Sequence, residues 1–85
     1  MRHFTSSDFW RHFERLPEQI KETADKNFKL LKTDPHHPSL KLKKINDFYS
    51  VRIGLKYRAL GIVAPEGIIW FWIGKHSEYD KLIVN

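Results

Sequence analysis

Apolar residues recur at helical spacing through the first third of the chain and at alternating or unbroken spacing through its second half. Phe9, Phe13 and Leu16 stand at i, i+4 and i+7, which gives a helix one apolar face. Thr5 followed by Asp8 reads as a capping box, with the acid near the positive end of that helix. Leu16-Pro17 breaks the pattern, and Pro17 suits the first turn of a second helix. Ile20, Ala24, Phe28 and Leu31 then continue at helical spacing until Asp34-Pro35. These residues predict an antiparallel helical hairpin with one face to bury. Arg2-His3-Phe4 before it is a candidate short strand.

Pro35-His36-His37-Pro38-Ser39 is a stiff loop, and Leu40 and Leu42 then alternate with Lys41 and Lys43 in an extended segment. Three strands are predicted at Tyr49–Gly54, Tyr57–Ala64 and Ile68–Gly74, separated by turns at Gly54-Leu55-Lys56 and Ala64-Pro65-Glu66-Gly67. The expected fold is α+β: a helical hairpin packed on one face of a small antiparallel sheet, in the order β-α-α-β-β-β, as one domain over residues 1–85. With a three-residue first turn, Ile53 faces Tyr57 and Arg52 faces Arg58; a one-residue slip separates the arginines onto opposite faces. The next hairpin sets Arg58 across from Ile73 or Gly74. Gly74 is expected to end its strand and turn the backbone, and Trp70 and Trp72 to share one face as core.

The chain has 85 residues and no cysteine, which removes thiolate metal sites, disulfides and cysteine nucleophiles and fits a cytoplasmic protein. The longest apolar run, Ile68–Ile73, is too short to cross a bilayer, and the chain does not open on an export signal. Net charge is +5, which favours an anionic partner. The excess lies in the second half: residues 1–35 hold seven Lys/Arg against six Asp/Glu, whereas residues 36–85 hold eight against four.

Arg52, Arg58, Lys75, His76 and Tyr79 are thereby expected at one end of the sheet. Like charges facing each other destabilise a sheet, so the paired arginines make most sense around an anion. Arginine clamps a phosphate through parallel hydrogen bonds, and histidine transfers protons near neutral pH. This suits RNA cleavage without a metal: deprotonation of the 2′-hydroxyl, stabilisation of a dianionic phosphorane, and protonation of the leaving 5′-oxygen. Blander readings stand beside it: His76 as a solvated strand end, Tyr79 as core packing, Lys41/Lys43/Lys44 as a solvated face. Adjacent His36 and His37, without carboxylate partners, do not make a metal site.

"DPHHPSLKLKKI", "FYSVRIGLKYRALGIV" and "IIWFWIGKHSEYDKLI" resemble the RelE/ParE superfamily of toxins, over nearly the whole chain and most specifically in the "SVRI…YRALG" hairpin. The resemblance implies the toxin of a type II toxin–antitoxin system, held by a cognate antitoxin. On the RelE branch it implies a ribosome-dependent, metal-free mRNA endonuclease with no cofactor. Arg58 would then bind the scissile phosphate, His76 transfer protons, and Tyr79 stack or assist. Arg52, Lys41, Lys43, Lys44 and Lys75 would grip the RNA backbone. Some relatives place a glutamate base before the second strand, where residues 36–47 offer only Asp47. The ParE branch lacks the nuclease cluster and implies DNA gyrase as the target instead.

Overall fold

The computed structural model describes residues 2–83. Its elements are β1 (Arg2–Thr5), α1 (Ser7–Phe13), α2 (Glu18–Thr33), a 3-10 turn (Pro38–Leu40), β2 (Lys43–Ile45), β3 (Phe48–Ile53), β4 (Tyr57–Ala64), β5 (Gly67–Lys75) and α3 (His76–Ile83). The strands form one mixed sheet in the order β1-β5-β4-β3-β2. The α+β class and the helical hairpin are as expected. Three features of the layout differ from the sequence expectation.

First, β1 pairs in parallel with β5, Arg2 to Thr5 against Gly67 to Trp70, so the sheet is not purely antiparallel. Second, the extended segment yields only the short edge strand β2. Leu40 belongs to the 3-10 turn and is fully buried, and Lys41 takes a left-handed conformation, φ 48°. His37 caps that turn, its Nδ1 accepting from the Ser39 amide at 3.2 Å. Third, a helix the sequence reading did not expect, α3, covers the sheet face opposite the hairpin.

The two faces hold separate cores. Phe9, Ala24 and Leu31 from the hairpin side pack with Val51, Ile53, Ala59, Ile68, Trp70 and Ile73. On the other face Tyr79 of α3 packs with Leu60 and Trp72, bordered by Ile45, Phe48, Phe71 and Ile83. Trp70 and Trp72 thus belong to different faces. The cause is a bulge: Leu60 pairs with Trp72 but Gly61 with Trp70, so Phe71 is an extra residue on β5 and inverts the alternation. An unbroken apolar run conceals such an inversion, because every position is compatible with either core.

Local chemistry also moves one cap. Ser6, not Thr5, caps α1, its hydroxyl accepting from the Phe9 amide at 3.2 Å. Thr5 Oγ1 instead accepts from the Trp10 indole at 2.9 Å.

In the hairpin-side core, Trp70 Nε1 donates to His3 Nδ1 at 3.1 Å, and the two rings stack. The bond requires Nδ1 to be unprotonated. Burial, and secondarily nearby positive charge including Lys32, lowers the His3 pKa below its ordinary value of 6.5. The unfolded chain therefore binds the proton more readily, so this contribution is whole above 6.5 and is lost as pH falls towards the folded value. Thermal melts of wild type should drop between pH 7 and 5, with a shallower drop in His3→Gln; equal slopes would contradict this.

Candidate functional site

The β3–β4 hairpin has the register read from its turn length: Ile53 faces Tyr57 and Arg52 faces Arg58. Arg58 in turn faces Gly74 on β5. Residues paired across strands share a face, so Arg52, Arg58 and Gly74 form one transverse row on the α3 side. The next row is Lys43, Ser50, Leu60 and Trp72. Lys43 therefore lies on the arginines' face, whereas Lys44, opposite Tyr49, lies on the other. Lys75, opposite Tyr57, also belongs to the hairpin side. Of the cations expected together, the sheet gathers Arg52, Arg58 and Lys43 on one face. Lys44 and Lys75 stand on the reverse, and Lys41 in the turn before β2.

Each arginine spends one donor on its own turn. Arg52 Nε donates to Gly54 O and Arg58 Nη1 to Tyr57 O, both at 2.9 Å. Among the described residues neither is in an ion pair, although Arg11, Lys21 and Lys29 all are. A guanidinium has five N–H donors, so most of each fork is unengaged. Two half-buried cations face each other with no protein anion between them among the described residues.

His76 opens α3, and its backbone amide donates to Lys56 O at 2.7 Å. That bond pins the helix start to the hairpin turn whose strands carry the arginines. The imidazole stacks on the Tyr79 ring, centroids 5.6 Å apart, and its Nε2 lies 3.4 Å from Asp80 Oδ1. Asp80, four residues on along the helix, was missed in the sequence. The spacing of Tyr79, Leu82 and Ile83 was the available sign of a helix and hence of that pairing.

Tyr79 is 2% exposed, and its hydroxyl donates to Ser50 Oγ at 3.1 Å beneath the helix. With its hydroxyl bonded to Ser50 and its ring in the core, it stacks behind the imidazole. Tyr79→Phe removes one buried hydrogen bond and leaves Ser50 without that partner. We expect a stability loss of about 1–2 kcal/mol by urea denaturation, with the histidine ring still stacked. A loss of activity with no change in stability would return the phenol to the chemistry.

Gly74 does not end its strand, because β5 runs on to Lys75. A Cβ at Gly74 would come within 2.6 Å of the Trp72 ring. The glycine makes room for the indole to lie beside the arginine row. Among the described residues no three of His, Cys, Asp and Glu come together as a metal-binding group. No described helix is long and apolar enough to cross a membrane.

No protein-family model matches the chain, and neither does any curated protein sequence. Solved structures do match it. A chain of the RelB–RelE antitoxin–toxin complex from Methanococcus jannaschii superposes with a TM-score of 0.73 at 16% identity, covering 95% of this chain and 99% of that one. The YoeB/ParE toxin from Agrobacterium tumefaciens gives 0.67 at 17%, covering 89% and 99%. The isolated RelE toxin of E. coli gives 0.62 at 20%, covering 96% and 97%. What is shared at these identities is the fold, and this chain has the RelE-like fold along nearly its full length.

Proposed function

We propose that this chain is a RelE/ParE-superfamily toxin of a type II toxin–antitoxin pair, acting in the cytoplasm as a single domain that cleaves mRNA on the ribosome. The observation that carries the proposal is the Arg52–Arg58 pair, two cations face to face with no ion-pair partner among the described residues, while His76 opens a helix pinned to the turn between their strands. Cross-strand like charges cost stability, and an anion between them reverses that cost. The shared fold with RelE, and the presence of RelB in the Methanococcus complex, support a toxin role and a cognate antitoxin as protein partner.

In this reading the arginines bracket the scissile phosphate, and Lys43 extends the cationic face along the strand. His76 takes the 2′-hydroxyl proton or gives one to the departing 5′-oxygen. Asp80 orients its imidazole and Tyr79 supports it. Attack of the 2′-oxygen on phosphorus forms a dianionic phosphorane, whose charge the two guanidinium groups offset, and its collapse breaks the P–O5′ bond. Lys41, Lys44 and Lys75 contact flanking backbone at most.

The test is protein synthesis in a cell-free translation reaction, run beside a DNA gyrase supercoiling assay. Wild type should halt translation and leave gyrase untouched. His76→Ala should lower the rate of inhibition by about 10²–10⁴-fold. Gyrase inhibition with intact translation would assign the chain to the ParE-type activity instead.

A further inference from the structure

A cleft of about 350 Å³ opens beside the later part of β5, which β1 leaves uncovered, between the α1–α2 turn and the end of that strand. His12, Arg15, Trp72, Lys75 and Glu78 are in its wall, with Gly74 at one side. None of these side chains belongs to the arginine row described above; His12 is in the last turn of α1 and Arg15 in the turn that follows it. We propose that this cleft is a second nucleotide subsite, which takes a phosphate-bearing nucleotide next to the one held at Arg58. It rests on the nucleic-acid reading of that row.

One polar donor in the cleft wall lacks a partner among the described residues. The indoles of Trp10 and Trp70 donate to Thr5 and His3. Among the described residues Trp72 Nε1 donates to nothing, although Trp72 is only 8% exposed. Yet no buried side-chain nitrogen is left without a partner, so this N–H keeps an opening to solvent. Of the indole carbons, Cζ2 and Cε2 are among those lying against Gly74, and Nε1 is bonded to Cε2. Trp72 is itself part of the cleft wall, so an indole N–H open to solvent there is available to a ligand in the cleft. The His12 ring stands 6.2 Å from the Trp72 ring, a second flat surface at the same place.

Charge points the same way. On the hairpin Arg11 is paired with Asp8, Lys21 with Glu14 and Glu18, and Lys29 with Asp25, whereas Lys26 and Lys32 have no ion pair among the described residues. Around the cleft, among the described residues, the cations Arg15 and Lys75 make no ion pair, and neither does Glu78. Unpaired cations around a concave site concentrate an anion there. Glu78 adds an acceptor for base N–H groups. It lies two residues from His76, about 200° around α3, so the two project from opposite flanks of that helix.

The cleft is also continuous with the arginine row. Gly74 pairs with Arg58, so the cleft begins one inter-strand spacing, about 5 Å, from the Arg58 backbone. An RNA strand crossing the row from Arg52 through Arg58 runs into it. Stacking on aromatic rings with cations on the phosphate is how single-stranded RNA is held.

The probe is adenosine 3′-monophosphate, titrated into the full chain while the Trp72 indole N–H resonance is followed by NMR. A saturable shift is expected. Arg15→Gln and Lys75→Gln should each weaken binding by about tenfold or more, and Trp72→Phe should also weaken it. Lys29→Gln, at an exposed ion pair far from the cleft, should not. Arg15 and Lys75 are exposed, so these two variants test binding with the fold intact. No saturable shift, or unchanged affinity in Arg15→Gln, would overturn the subsite. Inorganic phosphate binding as tightly as the nucleotide would also overturn it, leaving a small-anion site. Nucleotide binding here by a protein that never cuts mRNA would sink the nuclease reading and leave the cleft standing.

Discussion

Replacing Arg58 with glutamine should slow mRNA cleavage by about two to three orders of magnitude, the usual cost of removing a principal donor to a charged transition state. The residue is suited to the test because its side chain holds little of the fold together. Its one protein bond goes to the carbonyl of the preceding residue, Tyr57, and it forms no ion pair among the described residues. Glutamine also relieves the repulsion from Arg52 directly opposite. The variant should therefore melt at the wild-type temperature or slightly above it. Arg58→Lys keeps the charge but not the planar fork, and we expect an intermediate loss of about tenfold or more. Full cleavage by the glutamine variant would remove the arginine pair from the chemistry. A collapse in stability would show that Arg58 is structural after all.

The largest effect on stability should come from Gly67→Ala. Gly67 has φ 147°, a conformation that side-chain-bearing residues rarely adopt. It pairs with Arg2, and a Cβ there would collide with the Arg2 backbone carbonyl. Backbone cannot step aside as a side-chain tip does, so β1 must separate from β5. Trp70 and His3 lie on the same two strands, and their hydrogen bond is strained with them. We expect a loss of about 2–4 kcal/mol, which for a domain of this size lowers the melting midpoint by roughly 10 °C or more. Gly54→Ala is the control. Its φ is 63°, but the nearest atom to a Cβ is the Thr23 methyl at 3.9 Å, so about 1 kcal/mol is expected. Equal losses in the two would mean that the β1 contact is not what Gly67 protects.

The central hairpin was legible because its turn length fixes its register, and the register alone puts Arg52 opposite Arg58. The helical hairpin was legible because Phe9 and Phe13 in α1, and Ala24, Phe28 and Leu31 in α2, recur at helical spacing and face the core, although α1 ends at Phe13, short of Leu16. Helix α3 was not, because β5 runs into it without a proline or an intervening turn. Its apolar contribution is little more than Tyr79, Leu82 and Ile83 on eight residues. Missing that helix also hid Asp80, whose place near His76 exists only at helical spacing. It left Tyr79 open between core and catalysis, a question its bond to Ser50 answers in favour of the core. The parallel pairing of β1 with β5 joins residues more than sixty apart, and only the closure of the whole sheet produces it. His12 and Arg15 were not singled out in the sequence, because only the folded chain sets the end of β5 beside them.

The most direct measurement is primer extension on a defined mRNA in a cell-free translation reaction, with wild-type protein and the Arg58→Gln variant side by side. The account predicts new 5′ ends inside the reading frame that need translating ribosomes, form in the presence of a metal chelator at a concentration the ribosomes tolerate, and fade by about a hundredfold or more in the variant. An intact message beside wild-type protein, or equal cutting by the variant, would contradict it.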